Sequence, residues 1–371
     1  MVKVPVAAPD LTGNEERYVV EAIRSSWISS TGAFVGRFEK EFAAACGTRA
    51  SIAVANGTLA LHLALLTVDL RPGDEVLVPS LTYIATANAV RYCGAEPVFV
   101  DVDPQTWCMD PRLLEASITR RTKGIIPVHL YGHPADMDAI NHTAATHGLW
   151  VVEDAAESHY ARYKGRPTGS LARLGVFSFY GNKVLTSGEG GAVTLDDPAL
   201  EHRARLLKGQ GVDPERRYFF PITGYNYRLT NLACAILCAQ LERAGEMVAR
   251  RRAIYARYRE LLQGVPGIGF QPQAPWAELS PWLFCITVDP KEYGRTRDEL
   301  AALLAEEGVE TRPFFRPLHR LPPFVEESRR RGEVLPVTDR LGETGLNLPT
   351  YTKLQDREVE LVASAVRKGR R

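Results

Sequence analysis

Short apolar runs and helix-like stretches alternate through the first half of the chain. The runs are rich in β-forming residues and lie at positions 51–54, 75–78, 97–100, 124–128 and 149–152. Between them, residues 59–66 and 85–92 have the composition and spacing of helices packed on one side. Strands that alternate with helices predict βαβ units and a mostly parallel sheet. This pattern predicts an α/β fold.

A capping box and a helix are predicted near the start of the chain. Thr12-Gly13-Asn14-Glu15 fits the capping-box pattern, in which a hydroxyl residue stands three positions before an acid. Val19, Val20, Ile23 and Trp27 follow at helical spacing.

The last third of the chain has a different pattern. Residues 230–262 predict one or two long helices, and a strand at 282–288, a helix at 296–307 and a final helix from about 355 follow. A proline-rich segment lies at 313–323. We therefore predict two domains, a large domain over residues 1–245 and a smaller α+β domain over 246–371.

Composition and charge narrow the class of protein. The 371 residues include 45 lysines and arginines against 44 acidic residues, so no overall positive field favours nucleic acid or a membrane surface. The six cysteines show no spacing of a zinc site or disulfide framework, and Cys234 and Cys238 are predicted to be buried thiols. Without a signal-like or membrane-spanning run, we expect a cytoplasmic protein that binds neither metal, membrane nor nucleic acid.

Three groups of polar residues follow predicted strands, where open α/β sheets bind their ligands. Asn56-Gly57-Thr58 precedes a helix, and Asp154 and Glu157 follow the strand at 149–152. Lys183 lies between an aromatic strand and a glycine-rich loop. Taken singly, the three features also fit a plain helix cap, a solvated strand end and a surface lysine. Together they fit pyridoxal phosphate, which needs a phosphate site, an acid for its ring nitrogen and an amine for its Schiff base.

The motifs and their order resemble those of the DegT/DnrJ/EryC1/StrS aminotransferases. The resemblance runs from Ser29 to Pro313 and rests on Asn56-Gly57-Thr58, Pro79-Ser80-Leu81-Thr82-Tyr83, Val128-His129-Leu130-Tyr131-Gly132, Glu153-Asp154-Ala155-Ala156-Glu157, Phe177-Ser178-Phe179-Tyr180-Gly181-Asn182-Lys183, Gly188-Glu189-Gly190-Gly191 and Gly224-Tyr225-Asn226-Tyr227-Arg228. It implies the fold-type-I architecture of pyridoxal-phosphate enzymes and a homodimer with active sites at the subunit interface.

The resemblance also implies roles for individual residues. Lys183 matches the Schiff-base lysine, and Asp154 matches the acid at the ring nitrogen. The phosphate ligands match Gly57, Thr58 and Ser178, with Asn226 reaching the phosphate from the partner subunit. Tyr83 matches the aromatic residue stacked on the cofactor ring.

Two positions depart from the family pattern. Glu157 stands where many members have glutamine, and a carboxylate near the cofactor's phenolic oxygen would repel it unless protonated or paired. Tyr160 replaces a glycine, so the loop there cannot rely on the positive φ that glycine allows.

The expected reaction is transfer of an amino group from L-glutamate to the 4-keto carbon of a nucleotide-linked 4-keto-6-deoxysugar. Amination at C3, or a regulatory protein that has lost catalysis, are the alternatives. A related 3-dehydratase carries histidine where this chain has Lys183, which favours amino transfer. Candidate substrate-binding residues are Asn182, His159, Arg228, Arg312, Arg316 and His319.

Overall fold

The structure is a computed structural model that describes residues 3–371. Its strands are β1 (Ala50–Val54), β2 (Glu75–Pro79), β3 (Glu96–Val100), β4 (Thr122–Ile125), β5 (Trp150–Asp154), β6 (Arg162–Tyr163), β7 (Arg166–Pro167), β8 (Leu174–Ser178), β9 (Gly191–Leu195), β10 (Ile268–Phe270), β11 (Ala277–Glu278), β12 (Phe284–Val288), β13 (Arg312–Pro313) and β14 (Gly345–Leu348).

The helices alternate with these strands through the first half of the chain, as the sequence pattern predicts. They are α1 (Glu15–Arg24), α2 (Ala33–Cys46), α3 (Gly57–Thr67), α4 (Ala85–Tyr92), α5 (Leu114–Ser117), α6 (Met137–Thr146), α7 (Pro198–Lys208), α8 (Asn231–Leu262), α9 (Pro290–Tyr293), α10 (Arg297–Glu306), α11 (Val325–Arg331), α12 (Pro336–Thr344) and α13 (Asp356–Lys368).

A seven-stranded sheet forms the centre of the large domain, with the order β1-β9-β8-β5-β4-β2-β3. Strands β3, β2, β4, β5 and β8 pair in parallel, whereas β9 runs antiparallel to both β8 and β1. Helices cover both faces of the sheet, since apolar side chains of α3, α4 and α7 pack on one face and those of α6 on the other. The predicted α/β fold with a mostly parallel sheet is confirmed.

A four-stranded antiparallel sheet, β10-β12-β14-β13, organises the C-terminal part of the chain. Helices α10 and α13 and the end of α8 pack on it through buried apolar residues. The predicted α+β character of this part is therefore present, and the strand and helix predicted at 282–288 and 296–307 are β12 and α10.

Helix α8 is a single helix of 32 residues that joins the two parts. Its first half packs with α1 and α2, and its second half, from Ile254 onward, packs on the small sheet. The predicted boundary at residue 245 falls inside this helix, and the division at that residue stays a prediction.

The capping box predicted at Thr12 does not form. The Thr12 hydroxyl donates instead to Asp10 (2.6 Å), and Glu15 accepts a hydrogen bond from Gln240 of α8 (2.6 Å). A contact with a distant helix has thus replaced the local cap. Helix α1 does form, but Ile23 on it and Trp27 just beyond it are 55% and 58% exposed.

All six cysteines are free and buried, as predicted for Cys234 and Cys238. Across residues 3–371, none of the helices has both the length and the apolar character needed to span a membrane.

Candidate active site

A cavity of about 540 Å³ opens beyond the carboxyl ends of the parallel strands. Its walls come from the residues that follow β1, β2, β5 and β8, and from the small domain. The predicted residues that line it are Gly57, Thr58, Tyr83, Asp154, Glu157, Ser178, Asn182, Lys183 and Arg312.

The start of helix α3 forms one wall of the cavity. Asn56 caps the helix by accepting a hydrogen bond from the backbone N–H of Leu59 (2.9 Å). Gly57 packs tightly against Ser178, because a Cβ atom on Gly57 would lie 2.7 Å from the Ser178 Cβ. The first N–H groups of a helix have no partner within the helix, and they favour anions together with the helix dipole. This wall is therefore suited to a phosphate group.

The end of β5 places two buried carboxylates on opposite sides of the sheet. Glu153 points away from the cavity and is held by the His129 Nε2 (2.9 Å) and by the backbone N–H groups of Gly169 (2.8 Å) and Leu171 (2.7 Å). Such a set of donors stabilises a carboxylate in the interior.

Asp154 lines the cavity and has fewer partners. It accepts hydrogen bonds from the Thr86 hydroxyl (2.8 Å) and the Ala156 N–H (3.1 Å). Burial raises the pKa of Asp154 above its usual value, and the two hydrogen bonds and the charge of Lys183 oppose that rise. A buried carboxyl of this kind is suited to a cationic N–H donor that enters the cavity.

Lys183 lies on the loop between the antiparallel strands β8 and β9. The loop is held by the backbone bond from Phe179 N–H to Gly190 O (2.8 Å) and by the Thr186 hydroxyl, which donates to Phe179 O (2.9 Å). The Lys183 side chain is 10% exposed, and burial lowers the pKa of its amine. A lowered pKa increases the fraction of neutral amine, which is the form that acts as a nucleophile or base.

Glu157 is the charged neighbour of Lys183. One carboxyl oxygen lies 3.8 Å from Lys183 Nζ, and the other accepts the backbone N–H of Tyr131 (2.9 Å). Burial raises the pKa of Glu157 to about 7, although Lys183 and the Tyr131 N–H act against that rise. The carboxyl is thus paired, which is one of the conditions expected for an acid at this position.

Asn226, Arg228, Arg316 and His319 do not line the cavity. Asn226 accepts a hydrogen bond from Arg228 (2.9 Å) beside a shallow depression formed by residues 220–224. His319 is buried, with its Nδ1 2.8 Å from the Ser80 hydroxyl and its Nε2 3.2 Å from Asp339.

His159 also lies outside the cavity lining. It is fully buried between the rings of Phe177 and Phe179, and neither ring nitrogen has a hydrogen-bond partner among the residues described. Burial lowers the pKa of His159 to about 3, so the imidazole is neutral.

The backbone at Tyr160 contradicts the expectation that this loop would lack a positive φ. Its φ is +64°, so the loop keeps the left-handed conformation that glycine would adopt without strain. The ring of Tyr160 is partly buried against two apolar clusters, and this packing offsets the backbone cost.

Several cavity residues were not singled out in the sequence. Thr86 bonds to Asp154, and Trp282 and Phe315 reach the cavity from the small domain. The Trp282 ring lies 3.7 Å from Lys183 Nζ. Trp282 is 99 positions from Lys183 in the sequence and belongs to no local motif, so no pattern in the sequence pointed to it.

The cavity fits pyridoxal phosphate on these observations. The tight start of α3 suits a phosphate, the buried Asp154 suits a protonated ring nitrogen, and Lys183 supplies an amine with a lowered pKa. Fold and cavity together define a pyridoxal-phosphate-dependent transferase of fold type I.

The chain belongs to the DegT/DnrJ/EryC1/StrS aminotransferase family, whose model matches residues 9–367. Pyridoxal phosphate is the cofactor of this family, and the chain is an aminotransferase. It is 46% identical over 368 residues to GDP-perosamine synthase from Caulobacter vibrioides, which covers 98% of this chain and 97% of the relative.

Two solved structures have the same fold. The crystal structure of S. venezuelae DesV in complex with a ketimine intermediate matches with a TM-score of 0.91 and 37% identity over 98% of both chains. The PLP form of the putative sugar aminotransferase Spr1654 from Streptococcus pneumoniae matches with a TM-score of 0.91 and 28% identity, over 99% of this chain and 98% of that one.

Proposed function

We propose that this aminotransferase moves the amino group of L-glutamate to the C4 keto carbon of a GDP-linked 4-keto-6-deoxysugar, the reaction of a perosamine synthase. The likeness to GDP-perosamine synthase over nearly the whole chain supports this substrate class. The observation that carries the chemistry is the meeting of Lys183, Asp154 and the start of α3 at one cavity.

Pyridoxal phosphate, when bound, supplies a carbonyl carbon for amino groups and a ring that accepts the electrons released when a C–H bond breaks. Gly57, Thr58 and Ser178 would hold its phosphate, Asp154 its ring nitrogen and Tyr83 the face of its ring. Asp154 is positioned to keep a proton on that nitrogen, because its carboxyl is buried and its present partners donate only two hydrogen bonds.

Lys183 would be both the covalent anchor and the base. Burial lowers the pKa of its amine, which increases the fraction of neutral amine that can accept a proton from a carbon atom. Glu157 and Asp154 favour the ammonium form and so allow the same group to return the proton. One side chain therefore carries the proton in both directions.

The substrate would enter between the two domains. Arg312 lines the cavity from the small domain, and its side chain is 44% exposed. Its guanidinium therefore stays hydrated until a diphosphate binds to it. Asn182 lines the cavity beside Lys183 and is our candidate for the sugar. Arg228, Arg316 and His319 lie farther out, and a role for them in binding the nucleotide stays a proposal.

The enzyme would work as a homodimer with shared active sites. Asn226 does not reach the cavity of its own chain, and the neighbouring segment exposes Phe219 and Phe220, which are 44% and 51% accessible. Exposed aromatic residues of this kind favour an interface with a second copy. Asn226 of the partner subunit would then complete the phosphate site. The free state of all six cysteines supports a reducing, cytoplasmic setting.

The reaction is tested with purified enzyme, glutamate and a panel of GDP- and dTDP-linked 4-keto and 3-keto sugars. We expect a GDP-linked 4-amino sugar, identified by mass and by the position of the new amine. Amination at C3 would replace the proposed function with the alternative, and amination of no keto sugar by cofactor-loaded enzyme would refute it.

Replacement of Lys183 tests the assigned amine. Lys183→Ala should lower the amination rate by about 10³-fold or more, since groups that transfer protons contribute 10²- to 10⁴-fold. It should also abolish the borohydride-trapped adduct with the cofactor at this position. Lys164→Ala is the control, because Lys164 is an exposed lysine paired with Asp138 on the surface. A trapped adduct on another lysine of the wild-type enzyme would contradict the assignment.

A further inference from the structure

Trp282 lies against the reactive lysine but belongs to the small domain. It stands between β11 and β12, it is 5% exposed, and the centroid of its ring is 3.7 Å from Lys183 Nζ. Its indole N–H donates a hydrogen bond to the backbone oxygen of Asn182 (2.8 Å), the residue before Lys183. One side chain therefore contacts both the amine and the backbone that carries it.

The position of Trp282 is itself fixed by buried contacts. The guanidinium of Arg251, on α8, donates to the backbone oxygens of Trp282 (2.9 Å) and Thr350 (3.1 Å), and Arg251 is 2% exposed. The ring of Tyr131 stacks beside the indole at 6.1 Å. A buried arginine that binds the backbone just before β12 and just after β14 leaves the indole little freedom to move.

The face of an indole ring attracts a cation, and the attraction is stronger where water is excluded. The ammonium form of Lys183 is therefore favoured by Trp282, in addition to the carboxylates. The indole N–H bond fixes the backbone at Asn182, which limits the directions that the lysine side chain can take. The two contacts act on the proton affinity and on the placement of the same amine.

The other charged groups around Lys183 come from the large domain or the cavity mouth. Glu157 is 3.8 Å away, Asp154 lies deeper, and His159 is neutral behind β8. Glu189 and Arg312 line the outer part of the cavity. Trp282 is a small-domain residue in direct contact with the amine.

We propose that Trp282 is a positioning residue for Lys183: its ring face holds the amine and favours the ammonium, and its N–H fixes the adjoining backbone. This inference rests on the proposed function only through the role of Lys183 as base. A small-domain residue would then couple the placement of the two domains to the proton transfer.

Three variants separate the two contacts. Trp282→Leu removes the ring face and the N–H, whereas Trp282→Phe keeps a ring face and removes the N–H. Trp276→Phe is the matched control, because Trp276 is a tryptophan of the same domain that packs on Tyr163 and His133. A cooperative thermal unfolding transition and an unchanged circular dichroism spectrum establish that each variant folds, although truncation of a buried ring lowers the unfolding temperature.

The first measurement uses full-length protein from which the cofactor has been removed. The rate at which acetic anhydride acylates Lys183 is followed by peptide mass spectrometry against pH, and the midpoint gives the pKa of the amine. Loss of a desolvated cation–π contact should move the midpoint down by roughly one pH unit in Trp282→Leu. The shift should be smaller in Trp282→Phe and absent in Trp276→Phe. An unchanged midpoint in Trp282→Leu would overturn the proposal.

The second measurement is the rate of the glutamate half-reaction in cofactor-loaded enzyme. Misplacement of the base should slow this step by roughly 100-fold in Trp282→Leu, with little change in the KM for glutamate. Trp282→Phe should recover part of the rate. A Phe variant as slow as the Leu variant would refute the role of the ring face.

The two proposals fail in different ways. If wild-type enzyme aminates no keto sugar but the acylation midpoint still shifts, the proposed function fails and the role of Trp282 stands. If wild-type enzyme is active and Trp282→Leu matches it in midpoint and rate, the role of Trp282 fails alone.

Discussion

Glu157 is a buried carboxyl that lines the cavity beside Lys183. Its two oxygens face Lys183 Nζ and the Tyr131 N–H, so a glutamine of the same shape could keep the second contact. Burial raises the pKa of Glu157 from 4.5 to about 7. The folded protein therefore binds a proton at Glu157 more tightly than the unfolded chain does between these two pH values. By linkage, the ionisation of Glu157 destabilises the fold as pH rises through this range.

Glu157→Gln should remove this pH dependence. The free energy of unfolding of the cofactor-free variant, taken relative to wild type, should be higher at pH 8 than at pH 5. The increase is up to about 3 kcal/mol when the whole pKa shift acts on folding. Urea unfolding at the two pH values, at one protein concentration, gives the difference. A stability difference between variant and wild type that is the same at pH 5 and pH 8 would show that Glu157 does not titrate in this range.

Most of the predicted site residues that line the cavity belong to short local motifs. Gly57 and Lys183 follow a strand within a few positions and Asp154 ends one, and the sheet brings these strand ends together. Trp282 and Phe315 depend on how the small domain packs, which no local pattern encodes. His319 is the opposite case. It lies in a segment that was predicted to bind substrate, but its side chain bonds to Ser80 after β2 and does not line the cavity.

At the scale of elements, the close packing of Gly57 in α3 against Ser178 in β8, called a join below, sets the shape of the cavity wall that would hold the phosphate. A Cβ at Gly57 would lie 2.7 Å from the Ser178 Cβ, which is shorter than any normal contact, so Gly57→Ala must push α3 away from the strand. We expect the affinity for pyridoxal phosphate to fall by at least roughly 10-fold, since 1.4 kcal/mol of strain corresponds to that factor. Absorbance titration of cofactor-free protein measures it.

Gly36→Ala is the control for this substitution. Gly36 lies within α2, and a Cβ there would meet nothing within 4 Å. Alanine favours a helix more than glycine does, so the control should keep full cofactor affinity and equal or greater stability. Equal affinity in Gly57→Ala and wild type would mean that this wall does not hold the phosphate.

A second join connects the loop after β2 to the small-domain segment that carries Phe315. The Ser80 hydroxyl is hydrogen-bonded to His319 Nδ1 (2.8 Å) and accepts the His319 backbone N–H (3.1 Å), while the Ser80 carbonyl accepts the Leu318 N–H (2.9 Å). Tyr83, three residues after Ser80, and Phe315, three residues before Leu318, both line the cavity, and their ring centroids are 5.9 Å apart. The join therefore fixes the spacing of two cavity walls.

Ser80→Ala should loosen this join. The change removes the hydroxyl from two buried partners, which costs roughly 1 to 3 kcal/mol of stability. It should also raise the KM for the sugar substrate more than it lowers kcat, because the cavity walls move while Lys183 keeps its own contacts. Glu326→Ala, which breaks an exposed ion pair with Arg329, should change neither quantity measurably. A Ser80→Ala variant as stable as that control would contradict the role of the join.

The sequence predicted the helices better than it predicted the contacts that their side chains make. The helix near residue 15 and the long helix after residue 230 follow from apolar spacing, and both are present as α1 and α8. The capping box at Thr12 does not form because α1 begins at Glu15, which puts Asn14 rather than Thr12 at the N-cap, and because Gln240 binds the Glu15 carboxyl. Helical spacing identifies a helix but does not say whether its apolar side meets the core of the same chain.

At the scale of the whole molecule, the apolar side chains at the end of α1 are left uncovered by the chain itself. Ile23 and Trp27 are 55% and 58% exposed, although the helix is anchored to α8 through Tyr18 and Ala22. A large exposed tryptophan beside other apolar residues is typical of an interface anchor. The proposed homodimer would bury it and would also bring Asn226 to the partner's cavity.

Trp27→Glu should therefore weaken the dimer without unfolding the subunit. Loss of a tryptophan anchor costs about 2 to 4 kcal/mol, which raises the dimer Kd by roughly 100-fold, and sedimentation over a range of protein concentrations measures this. The subunit should keep its circular dichroism, because Trp27 makes few contacts with its own core. Leu361→Glu, on the exposed face of α13, is the control and should leave the Kd unchanged.

Since Asn226 would act across the interface, the Trp27→Glu monomer should also bind pyridoxal phosphate more weakly. A monomer with full cofactor affinity would show that each chain holds the phosphate with its own residues.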